Sequence, residues 1–197
     1  MAAKAGRVVK SMKTAVEGVK HPPYFKTNIG AGKAVAAPPL GPQLGQRNIQ
    51  IGQFCKDFNE RTKDIKEGIP LPTRIFVNPD RSYTLTIHQP TATYFLLQAA
   101  GIKKGAMKPG HEVSGKITLK HIYEIAKLKS QDPTFDTVPL EKVCKLLISS
   151  AHTLGIEVVH TLDPIEYGQF LEERRKVVEE QEKELFEAKQ AKLMRVA

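Results

Sequence analysis

The chain has 197 residues, 41% of them hydrophobic and 26% charged, with a formal net charge of +9 at pH 7 and a pI near 9.5. This is a globular, basic composition that points to a polyanionic partner, and the length leaves one core or two small ones open. Cys55 and Cys144 lie far apart, outside any C-x-x-C pair, which excludes a disulfide framework and a zinc ribbon; no apolar run reaches the roughly 20 residues of a bilayer span.

The first twenty residues hold five basic residues against Glu17 alone. Lys4, Arg7, Lys10 and Lys13 recur every three residues, while Val8, Met12, Val16 and Val19 fall on another helical face. The pattern fits an amphipathic organelle-targeting presequence, and it equally fits a basic arm touching RNA. A short strand is expected over 24–29, followed by GAGKAVAAPPLGPQLGQ, in which Pro38, Pro39 and Pro42 are read as forbidding a regular helix. Ile51, Phe54, Cys55 and Phe58 then repeat at i, i+3, i+4, i+7, predicting a helix over about 49–62 with one buried face. Pro70 and Pro72 close the next connection, after which 73–77 and 82–87 flank the turn Asn78-Pro79-Asp80-Arg81 as a hairpin, with Tyr83, Leu85 and Ile87 facing the helix.

Beyond Pro90 the strand signal stops, and three helices are expected near 93–100, 118–129 and 140–154. The last carries Leu140, Val143, Cys144, Leu147, Ile148, Ala151 and Leu154 on one stripe, with Gly155 past its end. Between the first two runs Gly101–Gly115 is a long loop. The window from Gly101 to Lys129 holds seven lysines against Glu112 and Glu124, which makes it either the nucleic-acid footprint or a solvated lysine-rich face. After Pro164 comes a strongly charged, helix-forming tail with nine acidic and seven basic residues over 163–197. Its thin apolar stripe, Phe170, Val177, Leu185 and Leu193, suits an exposed or partner-packed helix.

The reading is therefore α+β: a basic N-terminal segment (1–20), a small N-terminal α/β domain with a β-hairpin (21–87), a mainly helical C-terminal domain (88–160) and an extra charged helix (161–197). Chemistry finds little support. GAGKA lacks the first glycine and the Ser/Thr of a phosphate loop, those positions being Thr27 and Ala34. The six histidines are scattered, so no metal or other cofactor is expected. No aromatic strand of the base-stacking kind is present; lysines, hydroxyls and close-approaching glycines suit backbone contacts better. A structural RNA-binding protein is the leading class, ahead of an RNA-directed enzyme and a free-standing factor-binding adaptor.

PPLGPQLGQ at 38–46, FCKDFN at 54–59, DRSYT at 80–84, AAGIKKG at 99–105, KP at 108–109 and GKIT at 115–118 resemble the ribosomal protein L11 family from about Tyr24 to Val159. The presequence-like start and the added helix resemble its mitochondrial type, in the matrix. The resemblance implies a non-enzymatic stalk-base protein of the large subunit whose C-terminal domain binds ribosomal RNA of the GTPase-associated centre. Neighbouring stalk proteins and translation factor GTPases are the other implied partners, with no membrane. Pro90, Thr93, Lys103, Gly105, Lys108, Lys116, Thr118, Ser150, Thr153 and Gly155 match RNA-facing positions, while Pro38, Pro39, Pro42, Gly45 and Gln46 match the factor-facing segment. Thr118 also suits a helix cap, and Lys120, Lys127 and Lys129 are read as a solvated face. Departures from bacterial relatives fall at Ala36, Asn48, Gln50, Ser149 and His152, where Pro, Gly, Asn, Gly and Arg are usual.

Overall fold

A computed structural model describes Pro22 and residues 24–78, 80 and 82–196; the expected presequence or basic arm lies outside the described residues. The chain divides between Pro90 and Thr91 into two compact units.

In the first unit β1 (Tyr24–Gly30), β2 (Pro70–Val77) and β3 (Tyr83–Ile87) form an antiparallel sheet in that order. Tyr24 pairs with Phe76 and Gly30 with Pro70 on one side of β2; Thr73 pairs with Ile87 and Val77 with Tyr83 on the other. Alternate residues of β2, Leu71, Thr73 and Ile75, are buried, the period-2 signature of a sheet with one face on a core. Against that face lies α2 (Ile51–Arg61), which buries Phe54, Cys55 and Phe58 as its spacing predicts. Fully burying each phenylalanine contributes roughly 1.5–3 kcal/mol. The Asn78 amide donates to Ser82 O at 2.9 Å across the hairpin turn.

Two expectations fail in this unit. The strand β2 begins at Pro70, so both prolines of the presumed connection lie inside it, paired with Gly30 and Asn28 of β1 and preceding the paired stretch of β3; on that side His88 N donates to Pro72 O at 2.9 Å, a bond in which proline needs only to accept. The proline-rich segment contains a short helix, α1 (Leu40–Gly45). Pro42 is its third residue, where the N–H has no intrahelical partner in any case, so a proline there removes nothing.

The second unit packs α3 (Ala92–Ala99), α4 (Leu119–Ser130) and α5 (Leu140–Thr153) around Leu96, Ile117, Ile122, Val143, Leu147 and Ile156. Val143, Leu147 and Ala151 of the predicted stripe are buried. The strand signal does not end at Pro90: β4 (Gly115–Thr118) and β5 (Ile156–Val159) pair in parallel, Gly115 with Ile156 and Thr118 with Val159. The burial of β4 alternates, but four residues give the shortest run in which alternation can be read, and β5 does not alternate. Lys129 is another correction. It is buried, its ammonium 3.6 Å from the Asp132 carboxylate and over the Phe135 ring, while Lys120 and Lys127 are exposed. Burial pushes the Lys129 ammonium downward in pKa and Asp132 opposes the shift.

The last helix, α6 (Pro164–Val196), has 33 residues, about 50 Å at 1.5 Å per residue. Its packed face differs from the predicted stripe. Tyr167, Phe170, Leu171, Arg174, Val178, Gln181 and Leu185 are half-buried, whereas Val177 and Leu193 are exposed. The face includes Arg174 and Gln181, which an apolar search passes over.

Candidate nucleic-acid interface

The irregular chain between α3 and β4 is held at its inner side by the C-terminal turn of α5. Ala106 N donates to Leu154 O at 2.9 Å, and Ser114 N donates to Gly155 O at 2.8 Å. The Ser114 hydroxyl is 3.0 Å from Leu154 O and 3.1 Å from Gly155 O, and the residue is fully buried. Two glycines make this approach possible. A Cβ on Gly105 would stand 3.0 Å from Leu154 O; one on Gly155, where φ is +73°, would stand 2.4 Å from the Ala106 Cβ. Both glycines therefore have a reason inside the protein's own packing, whatever else approaches them.

This joint sets Gly105 against Leu154 and Ala106 against Gly155, in the loop that carries Lys103 and Lys108 and at the turn that follows Thr153. Lys103, Lys108 and Thr153 are exposed and Ser150 is half-buried. Both hydroxyls bond back to their own helix, Ser150 to Leu146 O at 2.9 Å and Thr153 to Ser150 O at 2.8 Å. Lys116 continues from the loop on β4; its ammonium lies 3.6 Å from the Glu157 carboxylate and 5.5 Å from the centre of the Phe170 ring. Thr118 ends β4 and caps α4, accepting from His121 N, while the His121 ring accepts from Thr118 N in a reciprocal capping box. Thr93 sits exposed in the first turn of α3, its hydroxyl bonded to the Thr91 cap at 3.1 Å. Pro90 is buried and belongs to the first unit, so it is not gathered into this face.

Glu112 was missed as a site residue. One of its oxygens accepts from Lys108 N at 3.0 Å and from Met107 N; the other accepts from Arg174 at 2.9 Å and Gln181 at 3.0 Å of α6. The Arg174 guanidinium is the largest cause holding its carboxyl down to about 2, well below the ordinary 4.5. The available signal was the spacing of Tyr167, Arg174 and Gln181, each two helical turns from the next.

In the first unit Pro38, Pro39, Pro42, Gly45 and Gln46 are all exposed, while Leu40, Gly41 and Leu44 turn inward. The segment is anchored from α2: Asn59 Oδ1 accepts from Ala34 N at 3.0 Å, and Asn59 Nδ2 donates to Ala34 O at 3.3 Å. The buried Thr62 hydroxyl accepts from Gly32 N at 3.1 Å. Arg47 ties the far end, donating to Gln43 O at 2.9 Å with its guanidinium 4.3 Å above the Phe25 ring. Asn48 sits in the left-handed region at φ 57°, where glycine, the usual bacterial residue, is at no disadvantage. Among the described residues no group of three or more His, Cys, Asp or Glu is placed to hold a metal, and no helix is long and apolar enough to cross a membrane.

The chain is thus a protein of two compact units, one with a lysine-bearing loop tied to the turn after α5 and the other with an exposed, anchored proline-rich segment. Two family models match the chain, ribosomal protein L11, N-terminal domain, over residues 25–83 and ribosomal protein L11, RNA binding domain, over residues 88–158. The large ribosomal subunit protein uL11m of Drosophila melanogaster is 57% identical over 98% of each chain, and that of Caenorhabditis elegans 50% identical over 99% of each. The Schizosaccharomyces pombe protein of the same name is 42% identical over 68% of this chain and 94% of its own. The chain belongs to the ribosomal protein L11 family. These relatives bear the name of mitochondrial ribosomal proteins, in agreement with the mitochondrial type expected from the sequence, and none is named as an enzyme.

Proposed function

We propose that this protein is a structural constituent of the large mitochondrial ribosomal subunit, where its second unit binds ribosomal RNA of the GTPase-associated centre at the stalk base. The observation that carries the reading is the joint between the lysine loop and the α5 turn, which lies within the segment matched by the family's RNA binding domain. Lys103, Lys108 and Lys116 meet phosphates, Ser150 and Thr153 add hydroxyl contacts, and the N-terminus of α4 at Thr118 favours a further phosphate. Thr93, Gly105 and Gly155 belong to the same RNA-binding unit, while Pro90, buried at the end of the first unit, acts through its place in the chain rather than by contact. The first unit, with Pro38, Pro39, Pro42, Gly45 and Gln46 exposed, faces translation factor GTPases and neighbouring stalk proteins.

The test is a titration of the full chain against a transcript of the GTPase-associated segment of large-subunit ribosomal RNA, over a range of salt. Binding that steepens with falling salt and weakens in a Lys103→Ala/Lys108→Ala variant supports the assignment. Equal affinity of the variant refutes it. Sedimentation of the tagged protein with the mitochondrial large subunit tests the assembly.

A further inference from the structure

The helix α6 lies wholly outside the matched RNA binding domain, which ends at residue 158, yet it reaches back to the loop that carries the lysines. The Tyr167 hydroxyl donates to Ala100 O at 2.5 Å and accepts from Lys116 N at 3.2 Å, bracing both ends of the segment. Two turns further on, Arg174 grips Glu112, and two turns beyond that Gln181 grips the same oxygen. The opposite oxygen of Glu112 holds the amides of Met107 and Lys108. A single carboxylate thus joins α6 to the backbone that presents Lys108.

Stability alone does not account for Arg174, since two apolar side chains in place of Arg174 and Glu112 would leave no donor or charge unmet. The Arg174 side chain is only 10% exposed, and Nε and Nη2 are buried with no hydrogen-bond partner among the described residues. Around it, Ile102, Leu171 and Val178 line a cleft together with charged residues, Lys103 and Glu182 among them. What the guanidinium does accomplish is to fix Glu112.

We propose that α6 is a built-in brace of the RNA-binding loop, in which Arg174, assisted by Gln181, acts through Glu112 to hold Lys108 ready for a phosphate of ribosomal RNA. Arg174 is a positioning residue and touches no RNA itself. The proposal rests on the RNA-binding reading above. Its consequence is that the functional RNA-binding unit extends to Gln181, because a loop ordered before the encounter does not have to be ordered during it.

The experiment uses the full chain and the same RNA transcript. Arg174→Met should weaken binding about three- to tenfold and speed amide exchange at Met107 and Lys108; the thermal midpoint should fall as well, because Glu112 keeps its charge without its partner, so affinity and exchange are read well below the transition. Arg174→Lys should recover part of the affinity. In a Lys108→Ala background Arg174→Met should cost nothing further, since the group it positions is gone. Gln181→Leu should follow the same order with a smaller effect, and serves if Arg174→Met does not fold. Wild-type affinity in Arg174→Met, unchanged exchange at residues 107–108, or a loss that simply adds to that of Lys108→Ala overturns the proposal. If Lys108→Ala weakens binding and Arg174→Met does not, only the brace is wrong. If neither the wild type nor Lys108→Ala responds to the RNA, the RNA reading falls as well.

Discussion

Replacing Gly155 by alanine attacks the joint between the α5 turn and the lysine loop. The backbone there has φ +73°, where an L side chain costs about 1–2 kcal/mol. The new Cβ would stand 2.4 Å from the Ala106 Cβ and 3.1 Å from Glu112 O, so the loop must move, at about 1–3 kcal/mol for a well-packed site. Against this, alanine restricts the unfolded chain and returns about 0.5–1 kcal/mol. The net loss is about 1–4.5 kcal/mol, which for a unit of this size lowers its thermal midpoint by about 4 °C or more. Calorimetry of the full chain reads this, and a second substitution checks its cause. Ala106→Gly removes the opposing methyl, so in the double variant the overlap vanishes while the backbone strain remains. The two changes should therefore be coupled by about 1–3 kcal/mol. A midpoint for Gly155→Ala within about 1 °C of wild type, or strict additivity with Ala106→Gly, would refute the account of the joint.

Lys116→Ala should weaken binding to the RNA transcript and lower the magnitude of the salt slope by about 1, as for one lost phosphate contact; an unchanged slope would remove Lys116 from the interface. Replacing Pro38 and Pro42 together by serine should leave RNA affinity nearly unchanged and reduce factor-dependent GTP turnover on reconstituted ribosomes, because a loosened segment must be ordered at each encounter. Glu112 has its carboxyl depressed to about 2 from 4.5, so its contribution is present above pH 4.5 and is lost as pH falls toward 2. Melting curves of wild type and Glu112→Gln should accordingly converge between those values, and a constant gap would contradict the assignment. Asn48→Gly should change stability by less than about 1 kcal/mol, whereas Asn48→Val, branched at a left-handed position, should lose about 1–2 kcal/mol on chemical denaturation.

The elements legible in the sequence are those that bury an uninterrupted apolar face. Phe54, Cys55 and Phe58 disclose α2, and Val143, Leu147 and Ala151 disclose α5, because each set falls on one face at helical spacing. Four-residue strands such as β4 and β5 carry no such period. The helix α1 escapes notice because a proline is a helix breaker only where an N–H is needed, and Pro42 sits before that point. Lys129 is buried with its ammonium near Asp132 and the Phe135 ring, local contacts just past the end of α4 that a charge count cannot see. The site is divided in the same way. The lysine loop is legible from its charge and glycines, but its fixing residues are Ser114, Glu112, Arg174 and Tyr167, polar groups whose partners lie 40 or more residues away in most cases.

Both segments proposed for recognition pose one physical problem. Irregular backbone has no ladder of its own to keep it stiff, yet a segment that binds through backbone and a few side chains loses affinity for every residue that must be ordered on contact. In the first unit Asn59 solves this by meeting both polar groups of Ala34, and Thr62 by meeting Gly32, so the prolines that follow start from a fixed point. In the second, Ser114 meets the α5 turn and Glu112 meets two loop amides, with α6 holding Glu112 in turn. The stiffness of each segment is therefore supplied by side chains of regular elements that need not touch the partner. Losses of binding after substitution at Asn59, Ser114 or Glu112 accordingly measure the order of the segment, whereas losses at Lys103 or Lys108 measure contact, and the salt slope separates the two because only the latter removes a charge that displaces counterions.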